Sequence, residues 1–164
     1  MRHIISMLMQ NEAGALVRVA GMFSQRGFNI ESLNVAPTED DTVSRLTLVT
    51  TGSDDVVDQI NRQLLKLVDV IDVLDMTGGE HVESELVMMK VAGDDRLAEQ
   101  ARAVGAEVLD ARDGLVTLRF VGGESAVRDL IDSMSGVGTL RELVRSGAVA
   151  ITPGDLGLRY EQEQ

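Results

Sequence analysis

Apolar and polar positions recur with two alternating periods along this chain, and each change of period marks an element. Residues 3–10 (HIISMLMQ) are a near-continuous apolar run of strand length, which predicts a strand buried in a sheet. Asn11-Glu12-Ala13-Gly14 breaks the run, and from Ala15 the spacing turns helical. Leu16, Val19 or Ala20, and Phe23 then share one face, with Arg18 and Gln25 outside. Arg26-Gly27 closes the helix with a glycine free to adopt a left-handed cap. Residues 29–36 predict a second strand, ended by Pro37 and the polar turn 38–41. Residues 42–51, alternating and rich in Thr and Val, predict a third strand hairpinned to it. Ser53 or Asp54 caps a second helix that turns Val57, Ile60, Leu64 and Leu67 inward, and residues 70–76 form a fourth strand. Strand–helix–strand–strand–helix–strand is the split βαβ, ferredoxin-like order.

Thr77-Gly78-Gly79-Glu80 reads as a hinge, after which the same order returns. Strands are expected at 86–92, 107–111 and 115–121, the last two joined across Asp113-Gly114, a strong hairpin signal. Helices are expected at 95–104, with Leu97, Ala101 and Val104 inward, and at 125–134. Leu140–Leu143 suits a helix or a strand locally; the repeated order selects a strand within 137–145. A short extra strand at 148–152 and a polar, frayed tail from Gly157 complete the chain. The expected class is α+β, with two tandem ferredoxin-like βαββαβ domains: 1–76, a linker at 77–83, and 84–164.

Composition narrows the function. The 44% apolar content supports a core, but Phe23, Phe28, Phe120 and Tyr160 are its only aromatics, so aliphatic and Met packing must dominate. A net charge of −12 and the lack of stacking residues argue against nucleic acid. With no cysteine there is neither a disulfide framework nor a thiolate site. No apolar run has the length of a signal core or a membrane span, so a cytoplasmic protein is expected. The two histidines, His3 in a strand and His81 in the linker, offer no obvious triad. Glu80-His81-Val82-Glu83 is a poor metal motif, and neither a phosphate loop nor a dinucleotide fingerprint is present. A catalytic role and a resident metal are not expected.

The stretch 10–31 stands apart. Asn11 and Gly14 have a structural explanation as cap and turn residues. They also have a functional one: Gly14 admits a close ligand, and the N–H groups of Gly14, Ala15 and Leu16 at a helix start suit a carboxylate. Asn29, expected at the same end of the unit, offers an amide that both donates and accepts.

Residues 11–48, NEAGALVRVAGMFSQRGFNIESLNVAPTEDDTVSRLTL, closely resemble the N-terminal pattern of the small regulatory subunit of acetolactate (acetohydroxyacid) synthase, an ACT-domain family. KLVDVIDV and LVRSGAVAI resemble later family segments, more loosely over 84–155. Val17, where a small hydroxyl residue is frequent, and Phe28 in place of Tyr depart from the pattern. The resemblance implies that domain 1–76 is an ACT domain for effector binding and dimerisation. It implies a non-catalytic subunit that activates a large catalytic subunit carrying thiamine diphosphate, Mg and FAD, with no cofactor in this chain. It also implies valine feedback inhibition through a site between two ACT domains of a homodimer. By matching motif, Asn11, Gly14, Ala15 and Leu16 line one side of that site and Asn29 and Ile30 of the partner the other, with Ala36 and Gln59 as further sensitivity positions. A free-standing tandem sensor with another client is the competing binding module. A small ferredoxin-like enzyme would need a converging Arg, His or Lys cluster that the sequence does not show.

Overall fold

The computed structural model of the chain describes residues 1–158 and 160. They form two compact units: residues 1–82 together with the segment from Val149 onward, and residues 83–148. The returning segment therefore groups with the first unit, whereas the sequence placed everything after residue 84 in the second. Gly157, Leu158 and Tyr160 of the expected tail are described; the rest of that tail lies outside the described residues.

In the first unit, β1 (Arg2–Gln10), α1 (Ala15–Ser24), β2 (Ile30–Pro37), β3 (Val43–Thr51), α2 (Asp54–Leu64) and β4 (Val70–Asp75) follow in order. The sheet order is β2-β3-β1-β4, all neighbours antiparallel. The apolar run of β1 is explained by this place: it pairs along both edges and every residue from His3 to Met9 is buried. On one sheet face Ile5, Met7, Met9, Leu46 and Leu48 pack with Val19 and Phe23 of α1 and with Val57, Ile60 and Leu64 of α2. The other face carries Ile4, Ser6, Leu8, Thr47 and Val49, also buried, with Ser6 and Thr47 sharing a hydroxyl hydrogen bond of 3.1 Å. His3 is buried too, its ring within 3.3 Å of the Gly52 carbonyl and 3.4 Å of the Thr77 hydroxyl. That is a structural role.

Helix α1 ends as expected. Gly27 takes φ 73°, its N–H donates to the Ser24 carbonyl and that of Phe28 to the Phe23 carbonyl, a Schellman closure. Its inner face is Ala15, Val19 and Phe23; Leu16, expected inward, is one-third exposed because the helix begins with Ala15 against the sheet. Helix α2 turns Val57, Ile60 and Leu64 inward as expected, but it ends at Leu64, so Leu67 packs partly buried against the core from beyond the helix.

The second unit repeats the order: β5 (Val82–Ala92), α3 (Leu97–Ala103), β6 (Glu107–Arg112), β7 (Leu115–Gly122), α4 (Glu124–Val137) and β8 (Thr139–Arg145), with strand path β6-β7-β5-β8. Leu97 and Ala101 of α3 are buried, but Val104, expected with them, is exposed, because α3 stops at Ala103. Asp113 and Gly114 both have positive φ (54° and 71°), the mirror-image turn that a two-residue hairpin prefers. Leu140–Leu143 is strand, held to β5 through Leu140–Val91 and Leu143–Met89 pairs. The buried Glu85 carboxylate accepts two bonds from Arg145 (2.8 and 2.7 Å), clamping β8 to β5. A further strand, β9 (Val149–Ile151), lies where a short extra strand was expected.

Two substitutions test the packing. Phe23 is fully buried, so Phe23→Ala should lower stability by about 3–5 kcal/mol in denaturant unfolding. An ideal Cβ on Gly138 would lie 2.7 Å from the Ala92 carbonyl oxygen and 2.6 Å from Val91 Cγ1. Backbone cannot step aside as a side-chain tip can, so Gly138→Ala should cost roughly 1–3 kcal/mol. An unchanged melting temperature would show that β8 and α4 re-seat freely.

Candidate functional site

The polar loop between β1 and α1 is shaped by three main-chain anchors. Gln10 N–H donates to the Asp69 carbonyl (2.7 Å), Asn11 N–H to the Thr42 carbonyl (2.7 Å), and Asn11 Nδ2 to the Asp41 carbonyl (2.8 Å). The Asn11 amide is thus a strut to the β2–β3 turn. Gly14 occupies the N-cap position in a left-handed conformation, φ 88°, which a residue with a Cβ adopts only with strain. Helix α1 has no side-chain cap. Of the three amides expected to face a carboxylate, that of Ala15 donates to the Glu12 carbonyl at 3.3 Å, and Ala15 itself is buried. The amides of Gly14 and Leu16 have no acceptor among the described residues, and the Leu16 side chain is partly exposed beside them. An uncapped helix start with an adjoining apolar group suits a small carboxylate with an aliphatic body.

One charged residue at this loop escaped the reading from sequence, which placed Arg18 outside. Its guanidinium forks onto Asp69, Nε to Oδ2 at 2.5 Å and Nη2 to Oδ1 at 2.8 Å, and Nη1 lies 3.0 Å from where a Gly14 Cβ would stand. The pair follows from the fold: Arg18 is one helical turn after Gly14, and Asp69 immediately precedes β4, beside the end of β1. Arg18's hydrogen bonds hold the Asp69 carboxyl below its ordinary value, and Asp69 in turn raises Arg18. Only the i, i+4 spacing from Gly14 hinted at this; the partner is 51 residues away.

The remaining expected residues do not gather here within one chain. Asn29 is exposed just before β2, its carbonyl accepting from the Thr50 hydroxyl at 2.7 Å, and Ile30 pairs with Thr50. Gln10 pairs with Val43, at the other end of β3. Seven residues of extended strand separate the two levels, roughly 23 Å. The expectation that both loops share one end of the unit is therefore overturned. β1 and β2 are each antiparallel to β3, hence parallel to one another, and the helical crossover returns the chain to the starting end. Ala36 is exposed on β2 opposite Arg45, and Gln59 lies on the solvent face of α2. Among the described residues no three of His, Cys, Asp and Glu gather to hold a metal, and no helix is long and apolar enough to cross a membrane.

Two α+β units of one strand order, the first carrying a glycine-opened helix start, have the plan of an ACT-type chain. Comparison with known proteins agrees. Residues 5–72 match the model of the AHAS small subunit-like ACT domain, and residues 84–154 that of the small subunit of acetolactate synthase. The chain is 41% identical to the acetolactate synthase isozyme 3 small subunit of Escherichia coli over 163 residues, 97% of this chain and all of the relative. It is 39% identical to a probable acetolactate synthase small subunit of Archaeoglobus fulgidus, covering 94% of this chain and 99% of that one. The crystal structure of the Thermotoga maritima acetolactate synthase small subunit superimposes with a TM-score of 0.83 at 28% identity, over 95% of this chain and 99% of that one. The chain belongs to the acetolactate synthase small-subunit family.

The Arg18–Asp69 pair makes stability depend on acid. With its folded value depressed, Asp69 contributes stability that is complete above the ordinary carboxylate range, about 4, and is lost as pH falls through the lower folded value. Wild type should therefore exceed Asp69→Asn in melting temperature at neutral pH, and the gap should close below about pH 4. A gap independent of pH would assign Asp69 a packing role only.

Proposed function

We propose that this chain is the regulatory partner of a catalytic large subunit of acetolactate synthase in branched-chain amino acid biosynthesis, which it activates and makes sensitive to valine. The large subunit supplies the chemistry, with thiamine diphosphate, Mg and FAD expected there by family resemblance and none in this chain. The observation that carries the effector reading is the exposed start of α1: Gly14 in a left-handed conformation, with unshared amides at Gly14 and Leu16 and an apolar side chain beside them.

Homodimerisation through the first unit reconciles this loop with Asn29 and Ile30. β2 is an edge strand, exposed along much of its length. Antiparallel pairing of two β2 edges about a two-fold axis brings the start of one β2 to the end of the other. The end of β2 lies at the same sheet level as Asn11, because Pro37 pairs with Ser44 and Gln10 with Val43. The partner subunit's Asn29 and Ile30 then approach the α1 start that one chain alone cannot bring to them. Valine fits such a site, its carboxylate on amide dipoles, its ammonium on Asn side-chain oxygens and its isopropyl group against Leu16. A ligand bridging two copies couples binding to dimer geometry, and about 1–3 kcal/mol of coupling gives 5–150-fold regulation.

The test is acetolactate formation from pyruvate by purified large subunit alone, with this chain, and with this chain plus millimolar valine. Activation that valine reverses is the expected result. Activation without a valine effect would remove valine as the effector, and no change in any condition would favour a free-standing sensor. Gly14→Asp should abolish inhibition while keeping activation, since its side chain is strained at φ 88° and sets a second carboxylate against Arg18. Asn29→Ala should do the same. If either variant also lost activation, these residues would serve assembly instead.

A further inference from the structure

Asp and Glu number 27 in this chain, yet none occurs from residue 13 to residue 30 or from residue 59 to residue 68. The first stretch is α1 with its flanks, and the second is the end of α2 with the loop to β4. The two helices pack together on one sheet face, with Val19, Phe23, Ile60 and Leu64 turned inward. Val17 and Arg62, each two residues from an inward position, therefore point to solvent from the helix layer. Arg18 reaches Asp69, and Arg26 reaches the Gln63 amide oxygen, so the two stretches meet along one surface. The acidic residues of α2, Asp54, Asp55 and Asp58, are gathered toward its other end. Among the described residues Arg18 is answered by Asp69, whereas Arg26, Arg62 and Lys66 have no carboxylate within ion-pair distance.

The same surface is apolar where it is most exposed: Val17, Leu65 and Val68 are 74, 52 and 90% exposed. Aliphatic groups so far out of the core add little to the fold of one chain. Beside cations that lack a counter-charge, they have the make-up of a contact surface, with apolar groups set among charged ones. A second copy related by a two-fold axis is a poor occupant. An isologous contact repeats the same patch on both sides, so Arg62 and Lys66 would meet their own like. A different chain with carboxylates around an apolar patch is complementary in both respects. We infer that the solvent side of α1 and α2 docks the catalytic large subunit, through an apolar patch of that subunit bordered by Asp and Glu side chains. The inference rests on the reading of this chain as that subunit's regulatory partner and adds the surface by which it is held.

Binding of purified large subunit to the immobilised full chain, followed by biolayer interferometry at low and high salt, tests it. Wild type should bind, and less tightly as salt rises. The double variant Arg62→Glu/Lys66→Glu should weaken binding at least about tenfold and flatten its salt dependence. Val68→Glu should weaken it likewise, and the neutral Arg62→Gln/Lys66→Gln should show an intermediate loss. Asp132→Lys, an exposed charge reversal on α4, should bind as wild type does. Each substituted side chain is exposed, so melting temperatures should stay at the wild-type value. Wild-type affinity in a folded Arg62→Glu/Lys66→Glu or in Val68→Glu overturns the inference and leaves the regulatory reading standing. Absence of wild-type binding at about 10 μM large subunit overturns both. Self-association of wild type that Arg62→Glu/Lys66→Glu abolishes would give the surface to a second copy, and overturns the inference equally.

Discussion

Everything in the first unit hangs on β1. It is hydrogen-bonded on one edge to β3 and on the other to β4, and both its faces are out of water. A strand in that position tolerates no polar group without a partner, which is why Ser6 is matched with Thr47 and His3 with Gly52 and Thr77. The rigidity of this strand is what gives the loop after Gln10 a defined position. The main-chain bonds of Gln10 and Asn11 then carry that order into the start of α1.

The same constraint separates the two loops that a local reading set side by side. A strand, a crossover helix and a parallel strand place the exit of the first strand and the entrance of the second at opposite sheet ends. A ligand spanning Asn11 and Asn29 therefore needs two copies of the chain. In the proposed valine-sensing dimer, topology would couple sensing to assembly before any detail of the ligand is considered.

Charge is handled differently at Asp69 and at Arg45 in the first unit. Asp69 is buried and answered by a forked guanidinium from α1, a pair that braces the α1 start against β4. Arg45 is half-buried and, among the described residues, donates to a backbone carbonyl, that of Ala150. The second unit follows the first pattern, with Glu85 answered by Arg145. Arg26, also half-buried, likewise meets only neutral acceptors, the Met22 carbonyl and the Gln63 amide oxygen.

The hydrophobic period of the chain was sufficient for the element order, the doubled βαββαβ plan, the inner face of α2 and the Gly27 cap, because each depends on neighbours within a few residues. It was also enough to single out Gly14, since a glycine before a helical period has few explanations. Helix ends were less legible: Leu16 and Val104 fit the period yet lie partly exposed, because contact with the sheet and the end of the helix decide which turn is covered. Arg18 with Asp69, Arg45 with Ala150 and the return of residue 149 onward to the first unit were decided by tertiary structure alone. Each joins positions at least 51 residues apart, and no local pattern encodes which distant partner a charge will find.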